Sequence, residues 1–177
     1  MNFPAKLGFS LTALASLASC TTLDSFPTER IADATLILAN GIPAGTVQLL
    51  ASGDTVTLAA AVTGISPGEH GFHLHTTGQC AGPDFKSAGG HLNPLGHGHG
   101  KLNDDGVHLG DLPNLVVGSS GTASVTVDLD GKRAQLSDWL FDADGTAVVI
   151  HAGPDDYLSD PAGAAGPRIA CGVLTPS

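Results

Sequence analysis

Positive charge is scarce in this chain. Seven Lys and Arg stand against 17 Asp and Glu, a formal net charge of −10. That balance argues against nucleic acid, or an anionic membrane surface, as an electrostatic partner. Aromatic residues are few, with one Trp, one Tyr and six Phe, so the short apolar runs are filled by Val, Thr, Leu and Ala instead. The apolar run at residues 7–17 is too short to cross a bilayer. Cysteine is limited to three residues, an odd number that leaves one unpaired if two form a bridge. What abounds is glycine, at 24 residues. Abundant Gly between short β-prone runs favours many short strands joined by turns over a helical bundle. A chain of 177 residues is long enough for one domain with a sizeable core. No internal repeat and no second domain is visible.

The N-terminal segment reads as separate from the fold. Lys6 gives a weakly positive start, residues 7–17 have the length of a signal h-region, and small residues follow, so residues 1–19 are expected to be a signal peptide. Leu17-Ala18-Ser19-Cys20 resembles the lipobox of bacterial lipoproteins. That implies a lipidated Cys20 as the first mature residue; an ordinary secretory signal with an incidental Cys is the alternative. Cleavage there removes Lys6 and no acid, so the mature chain is one unit more acidic. Residues 20–32 are then the lipidated Cys and its tether, with Pro27 and polar residues. The expected location is the periplasmic side of the cell envelope, anchored to a membrane through Cys20. Thr21, where an Asp would signal retention in some bacteria, leans towards the outer membrane. With Cys20 lipidated, Cys80 and Cys171 remain, and export places them where a disulfide persists. Two buried free thiols are the alternative. The bridge closes a loop of about ninety residues, for which chain entropy suggests roughly 4–5 kcal/mol.

From residue 34 the pattern changes. Residues 34–39, 45–51, 55–62 and 69–76 read as strands between turn signals such as Asn40-Gly41 and Ser66-Pro67-Gly68. Val56 and Leu58 alternate with Thr55 and Thr57 in half-buried strand fashion. Residues 77–113 break the rhythm with Gly, Pro, Asp, Asn and His. Four more strands are expected at 114–117, 122–129, 146–151 and 168–174, with one short helical turn at 136–141. A second irregular loop joins His151 to Arg168. Eight short strands and two long loops suggest an all-β, antiparallel Greek-key sandwich or barrel.

Chemistry concentrates in the histidines. His73 and His75 are two apart on an expected strand, so they project to one face while Phe72 and Leu74 face the other. His91, His99, His108 and Asp111 follow in the long loop, and His151 ends an apolar run. These are seven first-row transition-metal ligands, six of them imidazoles. An open imidazole cluster suits copper; imidazoles with one carboxylate in tetrahedral order suit zinc. Histidine dominance is a poor match for calcium.

Five motifs in order carry a resemblance: "HGFHLH" at 70–75, "AGGHLNP" at 88–94, "HLGDLPNL" at 108–115, "VVIHAGPDD" at 148–156 and "PRIACGVL" at 167–174. With their spacing they resemble the copper–zinc superoxide dismutases in their bacterial exported form. The resemblance makes 33–177 the enzyme domain. It implies one copper on His73, His75, His91 and His151, and one zinc on His91, His99, His108 and Asp111. His91 bridges the two as an imidazolate. Asp155 is implied to hydrogen-bond both His73 and His99, and Arg168 to sit beside the open copper position, where superoxide binds. Catalysis falls to Arg168 and His91, disproportionating superoxide to oxygen and hydrogen peroxide. His70 matches a structural position. Only His99 keeps the family spacing; His97 is left as a solvated loop residue or a weak accessory metal binder. The loop after His151 has Asp155, Asp156 and Asp160 but no Lys, so Lys86 and Lys101 are candidates for steering the anion, or plain solubilising residues. Family members occur as monomers and as homodimers, and both stay open. A periplasmic copper carrier on the same scaffold is the alternative function. An exported structural sandwich binding zinc adventitiously is a third reading, disfavoured by the dispersal of the ligands at family spacing.

Overall fold

The computed structural model describes residues 28–177 together with Met1. Residues 2–27, which hold Cys20, most of the expected signal peptide and most of the expected tether, lie outside the described residues. The described strands are β1 (Glu29–Leu38), β2 (Pro43–Ser52), β3 (Thr55–Thr63), β4 (Gly68–His70), β5 (Phe72–His75), β6 (Leu115–Val117), β7 (Thr122–Asp128), β8 (Ala147–His151), β9 (Arg168–Val173) and β10 (Thr175–Pro176); α1 (Arg133–Leu140) is the one described α-helix.

Alternation builds the main sheet. Ala44, Val47, Leu49 and Ala51 of β2 are buried, as are Val56, Leu58, Ala60 and Val62 of β3. Their neighbours in sequence point outwards, as the pleat requires. The eight-stranded antiparallel sheet runs β5-β8-β9-β1-β2-β3-β7, with β10 on β1, and β4 and β6 form a separate ribbon. The sheet curls into a half-barrel, and its core includes Leu36, Leu49, Leu58, Phe72, Leu74, Leu115, Leu136, Leu140 and Ile150. This is the all-β antiparallel fold with two long loops that the sequence suggests.

A smaller cluster lies on the other face of β8 and β9. Phe85, Ala88, Ala147, Val149 and Cys171 pack there, with Cys80 against them. The Cys80–Cys171 disulfide closes 91 residues and fastens the start of the long loop to β9.

Three boundaries differ most from the sequence expectation. β1 starts at Glu29 and takes in residues 29–32 of the expected tether. Those residues find partners on β2, with Glu29 opposite Ala51, and Arg133 holds the Glu29 carboxylate at 2.7 Å. The strand expected at 69–76 breaks at Gly71, which turns from the β6 partner to the β8 side. Gly71 N–H donates to Gly153 O, its carbonyl accepts from His151 N–H, and a Cβ there would lie 2.8 Å from that of Ala165. The helical turn starts at Arg133 rather than 136, because Arg133 N–H is held by Asp54 O and Leu136 and Leu140, one turn apart, both reach the core.

Candidate metal centre

β5 carries the first two imidazoles. His73 pairs opposite Val149 and His75 opposite Ala147, both on the face away from Phe72 and Leu74. His151 ends β8, opposite Arg168 across a register shift. The long loop is laid along β5 by backbone hydrogen bonds. Leu92 N–H donates to Leu74 O at 2.8 Å, Leu74 N–H to Gly110 O at 2.9 Å and Gly110 N–H to Leu92 O at 2.9 Å. Gly110 is needed for this approach, since a Cβ would run into the Leu74 carbonyl. His91 is thereby delivered opposite His75, and Asp111 opposite His73.

Two groups result, and they share one ring. The ligand atoms of His73, His75, His91 and His151 lie within 4.8 Å of one another, and so do those of His91, His99, His108 and Asp111. Every expected ligand is brought in. His91 stands between the sets, 4.0 Å from His73 and 5.2 Å from His99 between ring centroids.

The outer nitrogen of most rings is fixed. His75 Nδ1–H donates to Gly89 O at 3.0 Å and His151 Nδ1–H to Gly166 O at 2.9 Å. His73 Nε2–H and His99 Nε2–H donate to the two oxygens of Asp155, at 2.8 and 2.9 Å. Holding a proton on the outer nitrogen leaves a lone pair on the inner one. Those inner atoms, His73 Nδ1, His75 Nε2, His91 Nε2, His151 Nε2 and His99 Nδ1, are buried without a hydrogen-bond partner. An unpaired buried polar atom costs about 1–3 kcal/mol, so converging lone pairs call for a cation. In the second set, Asp111 Oδ2 accepts from Gly100 and His108 N–H, while Oδ1 lies 2.7 Å from His91 Nδ1 and 3.1 Å from both His99 Nδ1 and His108 Nδ1. Three nitrogens around one carboxylate oxygen form a donor set that fits a tetrahedral ion.

The electrostatics keep the His73, His75, His91 and His151 rings neutral and the Asp111 and Asp155 carboxylates charged. Burial lowers His73 and His151 to about 4 and His75 to about 2; it lowers His91 as well. Burial alone would raise Asp111, but hydrogen bonds from His91 and Gly100 outweigh it and leave about 2. Asp155 is likewise held well below the carboxylate range, burial being overcome by His73, His99 and the Tyr157 N–H.

Arg168 is half-buried and braced. Its two terminal nitrogens donate to Phe85 O at 2.7 Å and Gly89 O at 2.6 Å, so it shares the Gly89 carbonyl with His75. Gly89 lies at φ +76°, and a Cβ there would strike the Thr76 hydroxyl. Arg168, Asp84 and Lys86 line an open hollow of about 510 Å³. Lys86 is paired with Asp84 at 3.2 Å on the exposed rim. Lys101 lies instead over the Tyr157 ring, 4.1 Å from its centroid. His70 is buried between His151 O at 2.7 Å and Ser66 O at 2.9 Å.

Sequence reasoning missed two supporting residues. The Asn114 side chain clamps the Asp155 backbone at both N–H and C=O, 2.9 Å each, and Asn114 N–H donates to the Tyr157 hydroxyl at 2.7 Å. Tyr157 N–H in turn donates to Asp155 Oδ1 at 2.6 Å. No ligand spacing marks either residue; only their closeness to "GDLP" and to Asp155 hints at them.

Comparison with known proteins agrees with this geometry. Residues 43–174 match the copper/zinc superoxide dismutase (SODC) family. Superoxide dismutase [Cu-Zn] 2 of Aquifex aeolicus is 44% identical over 154 residues, 85% of this chain and 90% of that one. Superoxide dismutase [Cu-Zn] of Caulobacter vibrioides is 40% identical, covering 81% of this chain and 84% of its own. The crystal structure of a SOD-like protein from Bacillus subtilis superposes with a TM-score of 0.77 at 36% identity, over 83% of this chain and all of that one. A match over most of the chain, with relatives of similar length and the same architecture, makes this chain a member of the copper/zinc superoxide dismutase family.

Proposed function

We propose that the chain disproportionates superoxide on the periplasmic side of the cell envelope, tethered by a lipid on Cys20. In this reading copper is held by His73, His75, His91 and His151, and zinc by His91, His99, His108 and Asp111. The observation that carries it is His91: both ring nitrogens face ligand sets, Nδ1 towards Asp111 and Nε2 towards the all-imidazole group. An all-imidazole set suits copper, and three imidazoles with one carboxylate suit zinc. When bound, copper supplies one-electron exchange in both directions and zinc a fixed positive charge.

The chain's own residues then do three things. Arg168 has donors beyond the two given to Phe85 and Gly89, and these attract and orient a small anion. His91 Nε2, when not engaged by copper, would take up a proton from solvent and pass it to the reduced oxygen species; the second proton would come directly from solvent. Two superoxide anions and two protons thus give one oxygen and one hydrogen peroxide. Asp155 stays ionised and fixes the tautomers of His73 and His99 together, so both ligand sets keep one alignment.

Envelope anchoring is supported by the lipobox-like Leu17-Ala18-Ser19-Cys20 and by cysteine arithmetic. With Cys80 and Cys171 bridged, Cys20 is the remaining thiol of the three. Two experiments test the proposal. The copper electron paramagnetic resonance spectrum should change when zinc is removed from protein carrying one of each metal; identical spectra argue that His91 joins nothing. Labelled palmitate should be incorporated by the full chain and not by Cys20→Ser, which should also leave the membrane fraction; labelled Cys20→Ser would sink the anchor.

A further inference from the structure

We propose that His97, with the Asp128 and Asp130 carboxylates that line the same cavity, is a capture station for the divalent ion bound for His91, His99, His108 and Asp111. This rests on the reading of that set as the zinc site. His108 has the most exposed side chain of the set, 9% against 0–2% for the other three. His108 and Asp111 line a cavity of about 460 Å³, and His97, Asp128, Asp130 and Trp139 line the same cavity. The solvent approach to the ligand set thus runs past one imidazole and two carboxylates that belong to neither metal group.

His97 is not a free surface side chain. Asn93 clamps its backbone, its Oδ1 accepting from His97 N–H at 3.0 Å and its Nδ2 donating to His97 O at 2.9 Å. The ring rests on Gly106, at φ +97°, where a Cβ would come within 2.9 Å of it. His97 Nδ1 lies 3.1 Å from Val107 O. Donation to that carbonyl places the proton on Nδ1 and the lone pair on Nε2, which has no partner among the described residues. His75 and His151 use the same device towards Gly89 O and Gly166 O. His97 is therefore built like a ligand, yet among the described residues it joins no group of three or more ligating side chains. A single prepared imidazole at a carboxylate-lined entrance captures a hydrated cation and releases it inwards. The carboxylates and the acidic surface raise the local cation concentration.

Cobalt(II) tests this as a zinc surrogate, because its visible absorption reports entry into a tetrahedral set. It is mixed with the metal-free full chain at low ionic strength, and the uptake rate is followed. His97→Gln should slow uptake roughly tenfold, the low end of capture effects of this kind, while final absorbance and stoichiometry stay the same. Asp128→Asn with Asp130→Asn should lower the rate and flatten its salt dependence. His97 is the exposed imidazole among the described residues, so limited diethyl pyrocarbonate treatment of the unsubstituted protein should slow uptake equally, with recovery in hydroxylamine. That arm needs no variant to fold. Unchanged uptake after modification, or in His97→Gln, overturns the capture role. If even the unmodified chain gives no tetrahedral cobalt band, the zinc reading itself has failed.

Discussion

Asp155→Asn keeps the shape of a side chain that joins both metal groups and removes its charge. The carboxylate accepts His99 Nε2–H and Tyr157 N–H on Oδ1 and His73 Nε2–H on Oδ2. An amide has one accepting oxygen. It is best placed at the Oδ1 position, where two donors converge, which turns the amide N–H₂ towards His73 Nε2–H. Two donors then face each other in a buried spot. His73 can relieve this only by moving its proton to Nδ1, the nitrogen it offers to the first group. Losing a charge-assisted hydrogen bond is worth about 1.5–3 kcal/mol, and partners of metal ligands typically contribute about 10–100-fold in affinity. Copper affinity should fall by that factor. Zinc affinity should fall less, because His99 keeps a neutral acceptor. Competition with a chromophoric chelator at neutral pH reads both. Loss of zinc with copper affinity unchanged would refute the amide orientation. Loss of neither would remove Asp155 from any role at the ligands.

Other perturbations have equally definite outcomes. Arg168→Ala should keep both metals and lower superoxide turnover about tenfold or more at low ionic strength, where a local cation matters most; unchanged turnover there would exclude Arg168 from docking. Arg168→Lys should recover part of the rate, keeping the charge but not the two-carbonyl brace. The metal-free protein should be fully stable above about pH 6.5 and lose stability as pH falls towards 4. His73, His151 and His75 are held below their ordinary value, so the unfolded chain binds protons first. Urea melts between pH 7.5 and 4.5 check this, and a flat profile contradicts it. Reducing Cys80–Cys171 should cost roughly 4–5 kcal/mol if loop entropy governs, read as a lower urea midpoint of the metal-free protein.

Much of this architecture is legible in the residues, for identifiable reasons. Alternation in β2 and β3 is a local signal, and so is the His73/His75 pair, because a strand fixes which side chains share a face. The site needed more than spacing. His91, His108 and Asp111 reach β5 only through the backbone bonds among Leu74, Leu92 and Gly110, which no periodicity announces; the order of the five motifs supplied what local patterning lacked. Boundaries set by distant partners were invisible. Glu29 extends β1 because Ala51 and Arg133 await it, and Gly71 breaks a strand because Ala165 occupies the space of a Cβ. Asn114 and Tyr157 escaped notice for the same reason, since their role exists only once two loops meet. His97 stands out in the sequence beside His99, but the Val107 carbonyl that selects its tautomer is placed there by the fold.

On this account the chain turns over superoxide at its paired metal groups. The most direct measurement is the decay of superoxide, followed by its ultraviolet absorbance, with protein carrying one copper and one zinc. Fast catalytic decay that depends on copper and persists through many equivalents of superoxide is the expected result. Tight stoichiometric copper binding without turnover would contradict it and make the chain a copper carrier on a dismutase scaffold.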